Sequence, residues 1–235
     1  MSDLPGLAAA SLIAALRLAS PALPVGGFSY SEALEAAVDA GLVTDEAAAR
    51  AWLLDQLSLG LQRAELPLAA AAHLAWQQSD LERIRALNEW LLQTRESAEL
   101  RLQTEQTGRS LADWLRQRHP DDARVAALHA LRPAPAWPIG FALATACASL
   151  PPAQALLVQA FSWAENMVQA ALKAVPLGQN AGQRLLDALG AALPAVVEAA
   201  LHTAENGDAA RQSFAPMWAI LSARHEAQYS RLFRS

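Results

Sequence analysis

Leu12-Ile-Ala-Ala-Leu-Arg-Leu-Ala19 sets the pattern that the rest of the chain follows. Its apolar positions Leu12, Ala15, Leu16 and Ala19 recur at three- and four-residue spacing, which places them on one face of a helix. No segment shows the sustained apolar/polar alternation of a half-buried strand. Alanine and leucine dominate and β-branched residues are sparse, and both features favour helix over strand. The expected fold class is therefore all-α.

Working outward, the first helix is expected to end near Ala19, because Ser20-Pro-Ala-Leu-Pro-Val-Gly-Gly27 cannot continue it. Ser29 with Glu32 has capping-box spacing and predicts the next helix, which Gly41 ends. Thr44-Asp45-Glu46 predicts a third, opened by a hydroxyl cap with acids at the positive end of the helix dipole. Gly60 or Pro67 should interrupt it, with a further helix through Trp76. Ser79 with Glu82 predicts another capping box and a helix to about Thr94. Glu99 to Arg118 reads as helix closed by His119-Pro120, and a short helix follows Asp121. Beyond the linker Arg132–Pro138 comes an apolar region whose second helix runs from about Ala153 to Val175. Pro176-Leu-Gly178 breaks it, another helix runs to about Ala204, and the last segment begins near Ser213. No fixed-period repeat or long linker divides the chain. The expectation is a single globular helical domain over residues 1–235, with about eight to eleven helices, larger than a four-helix bundle.

Composition narrows the function. Apolar residues make up 53% of the 235, enough for a sizeable core. Charged residues are 17%, against roughly 25% in an ordinary domain, which points to surface hidden against partners. The net charge is −5 and no basic stripe exists, so nucleic-acid binding is not expected. Met1-Ser-Asp-Leu-Pro-Gly lacks the basic region of a secretory signal. The uncharged stretch from Pro133 to Ala164 is broken by Pro135, Pro138, Pro151 and Pro152. Its uninterrupted piece, Ile139 to Leu150, is shorter than the roughly 20 residues of a spanning helix. A buried hairpin of two helices, in a soluble cytoplasmic protein without a membrane segment, is the reading.

No catalytic constellation emerges. Gly178-Gln-Asn-Ala-Gly182 is too short for a phosphate loop, and Gln183-Arg184 stands where Lys-Ser/Thr is needed. Gly27-Phe-Ser29-Tyr-Ser31 lacks the second glycine of a nucleophile elbow. Cys147 is the only cysteine, so intrachain disulfides and cysteine-based zinc sites are ruled out, and it reads as a small buried hydrophobe. His73 reads as a satisfied core or boundary residue, and His119, His129, His202 and His225 as solvated helix-end residues. None has metal-ligand spacing, which leaves open a weak site shared across a subunit interface. No catalytic residue, metal or cofactor is assigned.

Two features suggest binding. Glu165 and Lys173 are the only charges in the helix from Ala153 to Val175 and lie near one face. Either both reach solvent at the helix edge, or Lys173 faces an interface. At the chain end, Tyr229, Arg231, Phe233 and Arg234 fall within six residues. Tyrosine and arginine often carry interface energy, and such a tail can fold on a partner. Alternatively, Leu232 and Phe233 dock back on the body.

Three blocks then carry a resemblance. They are Leu18-Ala-Ser-Pro21-Ala-Leu-Pro24-Val-Gly-Gly-Phe28-Ser-Tyr30-Ser; Trp163-Ala-Glu165-Asn with Ala171-Leu-Lys173-Ala-Val-Pro176-Leu-Gly178-Gln-Asn-Ala-Gly-Gln183; and the tail His225-Glu-Ala-Gln-Tyr229-Ser-Arg-Leu-Phe-Arg-Ser235. Together and in this order they resemble the UreF family of urease accessory proteins. Thr107, Met167 and Ala219 depart from residues frequent at those places in the family. The resemblance implies an all-α, non-enzymatic, dimeric protein. It implies binding to UreD (also called UreH), recruitment and regulation of the GTPase UreG, and nickel insertion into apo-urease, with carbon dioxide carbamylating the metal-bridging lysine. It associates residues 219–235 with partner binding, through His225, Glu226, Gln228, Tyr229, Arg231, Leu232, Phe233 and Arg234. Tyr30, Glu165 and Lys173 are associated with assembly and GTPase coupling. Removal of 225–235 is expected to leave the helical fold intact. Competing readings are a metallochaperone that carries nickel directly and an enzyme in its own right.

Overall fold

Helices account for every regular element in the computed structural model, which describes residues 8–235. The stretch read as lacking a secretory signal, residues 1–6, lies outside the described residues. Eleven α-helices follow one another: α1 (Ala9–Ala19), α2 (Leu34–Asp39), α3 (Glu46–Gln56), α4 (Leu66–Gln78), α5 (Leu81–Thr94), α6 (Ala98–Arg118), α7 (Ala123–Ala130), α8 (Trp137–Cys147), α9 (Pro152–Ala174), α10 (Gln179–Glu205) and α11 (Pro216–Glu226). The all-α expectation is met, with the helix number inside the expected range.

Several boundaries fall elsewhere than the sequence signals placed them. Ser29 does not cap α2; it sits in a short 3₁₀ turn, Gly27–Ser29, and Glu32 and Ala33 adopt left-handed backbone conformations before the helix begins. Asp45, not Thr44, caps α3, its carboxylate accepting from the Ala48 N–H at 2.9 Å. Asp80, not Ser79, caps α5 by accepting from Arg83 N–H; Ser79 instead ends α4 in a left-handed conformation. At α3 and α5 the carboxylate one residue on outcompetes the hydroxyl, as the charge-assisted bond is the stronger. Neither Gly60 nor Pro67 breaks the chain direction. Leu57–Glu65 is a π-helical segment that joins α3 to α4. Pro67 has no N–H for the Arg63 carbonyl four residues back, and that carbonyl accepts from Gln212 N–H at 3.0 Å instead.

Buried side chains form two main clusters. One gathers α2, α3, α9, α10 and Phe233 of the tail, with Leu34, Leu53, Trp163, Leu185 and Leu193 among its members. The other gathers α4 to α8 around Trp76, Ile84, Leu111, Leu128 and Phe141. The expected hairpin of α8 and α9 is corrected here. They are consecutive, but α8 packs chiefly on α4 and α6, and α9 packs on α10. Every residue from Pro138 to Thr145 is buried, so α8 needs neighbours all round and one partner helix cannot cover it. Among the described residues, α10 alone is long and apolar enough to cross a membrane. It carries Pro194, and its stripe Leu185, Leu189, Leu193, Val196 and Val197 is buried in the first cluster.

Candidate partner-binding surface

The loop before α2, the end of α9 and the tail are far apart in sequence and meet in space. The loop reaches α9 at Gly27, where a Cβ would lie 2.8 Å from Asn166 Nδ2. Ser31 donates from N–H and Oγ to the Ser235 carbonyl oxygen, at 2.7 and 2.6 Å. Arg234 N–H donates to the Ser29 carbonyl at 2.8 Å. Lys173, in the last turn of α9, stands between loop and tail. Its ammonium donates to the Phe28 carbonyl at 3.4 Å and lies 5.7 Å from the ring centroids of both Phe28 and Phe233.

Beneath this junction lies a polar layer. Glu32 is half-buried, and its carboxylate accepts from Trp163 Nε1 at 2.9 Å and Gln103 Nε2 at 2.8 Å. Its carbonyl accepts from Gln56 Nε2 and Trp218 Nε1, both at 2.8 Å. Four donors from four elements thus hold a backbone conformation that costs a non-glycine residue roughly 1–3 kcal/mol. Burial, and then the charge of Glu65, pushes the Glu32 carboxyl above its ordinary value. Glu65 pairs with Arg95 at 2.7 Å alongside. Tyr30 donates to Gln106 Oε1 at 2.7 Å, and Ser235 Oγ donates to Gln103 Oε1 at 2.6 Å. A cavity of about 60 Å³ remains between Glu32, Glu65, Arg95 and Gln159.

The tail is held by a second device. His225 is fully buried, not a solvated helix-end residue as its sequence position suggested. Its Nδ1 lies 2.7 Å from Glu99 Oε2 and its Nε2 lies 3.1 Å from Glu35 Oε2. Glu35 also accepts from the N–H groups of Leu232 and Phe233, at 2.7 and 2.9 Å. Arg231 pairs with Glu99, Glu226 accepts from Glu99 N–H at 3.0 Å, and Gln228 donates to Asp39. The two carboxylates occupy opposite ring nitrogens, so the three groups do not converge on one point. Among the described residues no His/Cys/Asp/Glu group is arranged to hold a metal ion.

These contacts sort the residues singled out by sequence. Tyr30, His225 and Phe233 are buried and position the surface. Phe233 docks on the body at 5% exposure, whereas Leu232 beside it is 71% exposed. Tyr229 is fully exposed, and Phe28, Lys173, Glu226, Arg231 and Arg234 also face solvent. Glu165 is half-buried on α9, outside the contacts that Lys173 makes. Sequence reasoning missed Glu32, Glu35, Glu99 and Gln103. Each sits in an ordinary helical pattern, and only their convergence marks them; Glu32 was read as a capping residue. Phe233 belongs to the core and His225 bridges Glu35 and Glu99, contacts that weigh against the expectation that 225–235 is dispensable for the fold.

The family model described as UreF matches residues 43–190, more than half of the chain. The chain belongs to the UreF family of urease accessory proteins. It is 64% identical over 228 residues to the urease accessory protein UreF of Methylibium petroleiphilum, covering 97% of this chain and 95% of that one. It is 59% identical to the protein of the same description from Paracidovorax citrulli, covering 98% and 91%. A bifunctional urease accessory protein UreEF of Bordetella bronchiseptica is 49% identical, covering 98% of this chain and 53% of that one. The matched UreF span contains α9 with Glu165 and Lys173; the loop and the tail that meet there lie on either side of it.

Proposed function

We propose that this UreF-family chain is a non-catalytic scaffold that binds UreD/UreH and recruits and regulates the GTPase UreG for nickel insertion into apo-urease. It works as a cytoplasmic homodimer, and residues 219–235 of a single 1–235 domain supply the partner-binding segment. One observation carries the reading. Three separated blocks build one surface on which Tyr229, Leu232, Arg234, Phe28 and Lys173 stand exposed over a hydrogen-bonded base. Aromatic and arginine side chains on a preorganised support are the chemistry of interface hot spots. UreD contacts the exposed tail residues, and UreG coupling runs through the Phe28–Lys173 edge. The similarity to a bifunctional accessory chain supports work beside other accessory proteins.

Point variants test this better than truncation, because the tail contributes to the core. Tyr229→Ala combined with Leu232→Ala should keep the helical circular dichroism and the unfolding midpoint. It should lose capture of UreD in a pull-down, with affinity reduced at least roughly tenfold. Capture at full strength would refute the assignment of the tail.

A further inference from the structure

A cleft of about 350 Å³ lies between α6 and the linker that joins α7 to α8. Arg109, Ala112 and Asp113 of α6 form one wall; His129 of α7 and Arg132 and Pro135 of the linker form the other. Its size falls within the roughly 300–1,000 Å³ of ligand sites. The linker wall is fixed from behind. Buried Asn88 donates from Nδ2 to the Pro133 and Ala134 carbonyls at 3.2 and 3.1 Å, and its Oδ1 accepts from the Ala136 N–H at 2.7 Å. The Trp137 N–H donates to Thr104 Oγ1 of α6 at 3.1 Å, which ties the linker to the opposite wall. The cleft is thus preformed, and a ligand loses little free energy in organising it.

Its charge points to the occupant. Glu105 is shared by Arg101 and Arg109, and Asp113 by Arg116 and His129. Arg132 takes part in none of the ion pairs among the described residues. Four guanidinium groups therefore stand against two carboxylates here, in a chain whose net charge is −5. Arg132 is exposed but held: its Nη1 donates to the Leu131 carbonyl at 2.7 Å and to the His129 carbonyl at 3.3 Å. These bonds orient the guanidinium and leave its Nε–H and Nη2 edge without an acceptor among the described residues. That edge is the fork that pairs bidentately with a carboxylate. A phosphate monoester would bring a charge of roughly −1.5 to −2 against Asp113 in the cleft wall. A single carboxylate instead matches the one unpaired guanidinium.

We propose that the cleft between α6 and the 131–136 linker docks an acidic segment of a partner protein, with one glutamate or aspartate side chain seated on Arg132. The seated carboxylate accepts from the free Nε–H and Nη2 edge. A neighbouring acidic residue of the segment meets Arg109 and Arg116, whose carboxylate partners are each shared with another cation. The cleft shares no residue with the tail junction and does not depend on the assignment of that surface.

The test uses the full chain and fluorescence anisotropy of short peptides that carry an uncharged dye. One peptide alternates alanine with glutamate; a second has glutamine in place of glutamate. The glutamate peptide should bind saturably and more weakly as sodium chloride is added, and the glutamine peptide at least roughly tenfold more weakly. Arg132→Gln, at an exposed position, should keep the helical circular dichroism and the melting temperature and weaken the glutamate peptide roughly tenfold. Arg184→Gln removes an exposed cation on α10 and should bind that peptide as the unaltered chain does. No saturable binding of the glutamate peptide, equal binding of the glutamine peptide, or equal losses in the two variants would overturn the proposal. So would inorganic phosphate displacing the peptide more effectively than acetate at equal ionic strength, because the cleft would then select phosphate over carboxylate.

Discussion

Removing the His225 ring would leave the buried Glu35 and the half-buried Glu99 without their shared hydrogen-bond partner, and stripping a buried carboxylate of a partner is costly. His225→Ala is therefore expected to destabilise the fold by about 3 kcal/mol, measured by urea denaturation. Phe233→Ala should cost about 3 kcal/mol by the same measurement, since the ring is in the core. Lys173→Ala is a contrasting case. The side chain is exposed, so stability should change by less than about 1 kcal/mol. If Lys173 couples to UreG, urease activation should nonetheless fall in cells carrying the variant, and unchanged activation would count against that role. Sequence alone weighed two readings of this lysine. The structure has it exposed and, at the same time, bridging Phe28 and Phe233.

At the scale of elements, the path of α6 past the start of α8 depends on one residue without a side chain. A Cβ on Gly108 would lie 2.0 Å from the Pro135 carbonyl oxygen, a backbone atom that cannot swing aside. Gly108→Ala should thus lower stability by about 2 kcal/mol or more, seen as a depressed melting temperature, and a wild-type melting curve would contradict this packing. Helix positions were largely legible because apolar spacing and proline breaks are local signals. The caps were less so. Ser79 and Asp80 are both plausible caps, and Ser29 with Glu32 has the right spacing, but tertiary bonds to Trp163 and Gln103 claim the Glu32 carboxylate. The α8–α9 hairpin failed for a related reason. Hydrophobicity says that α8 must be buried and is silent on which helices bury it.

For the whole molecule, acid sensitivity follows from paired carboxylates. The Arg124 guanidinium beside Asp122 lowers its carboxyl to about 2 from 3.8. Arg83 beside Asp208 does the same, with the value also about 2. Depressed carboxyls give stability that is full above 3.8 and lost as pH falls toward about 2. The raised Glu32 carboxyl has the opposite sign, its contribution weakening as pH rises above 4.5. Asp122→Asn should therefore lower stability at neutral pH and flatten the acid limb of the stability–pH curve, and an unchanged acid limb would refute the linkage. Cys147, half-buried beside Asp122 and Arg124, has its thiol pushed up to about 11, with burial the main cause. It should alkylate slowly at neutral pH and rapidly once the chain is unfolded, as mass spectrometry can follow.

The sequence by itself determined the all-α class, the approximate helices and the three family blocks, because apolar periodicity, turn residues and short motifs are written locally. Only the tertiary structure decided that those blocks form one surface, and that the tail divides into a buried half with His225 and Phe233 and an exposed half with Tyr229 and Leu232. The groups responsible, Glu32, Glu35, Glu99 and Gln103, come from different elements. Their roles arise from burial and convergence, properties that no single stretch of chain possesses.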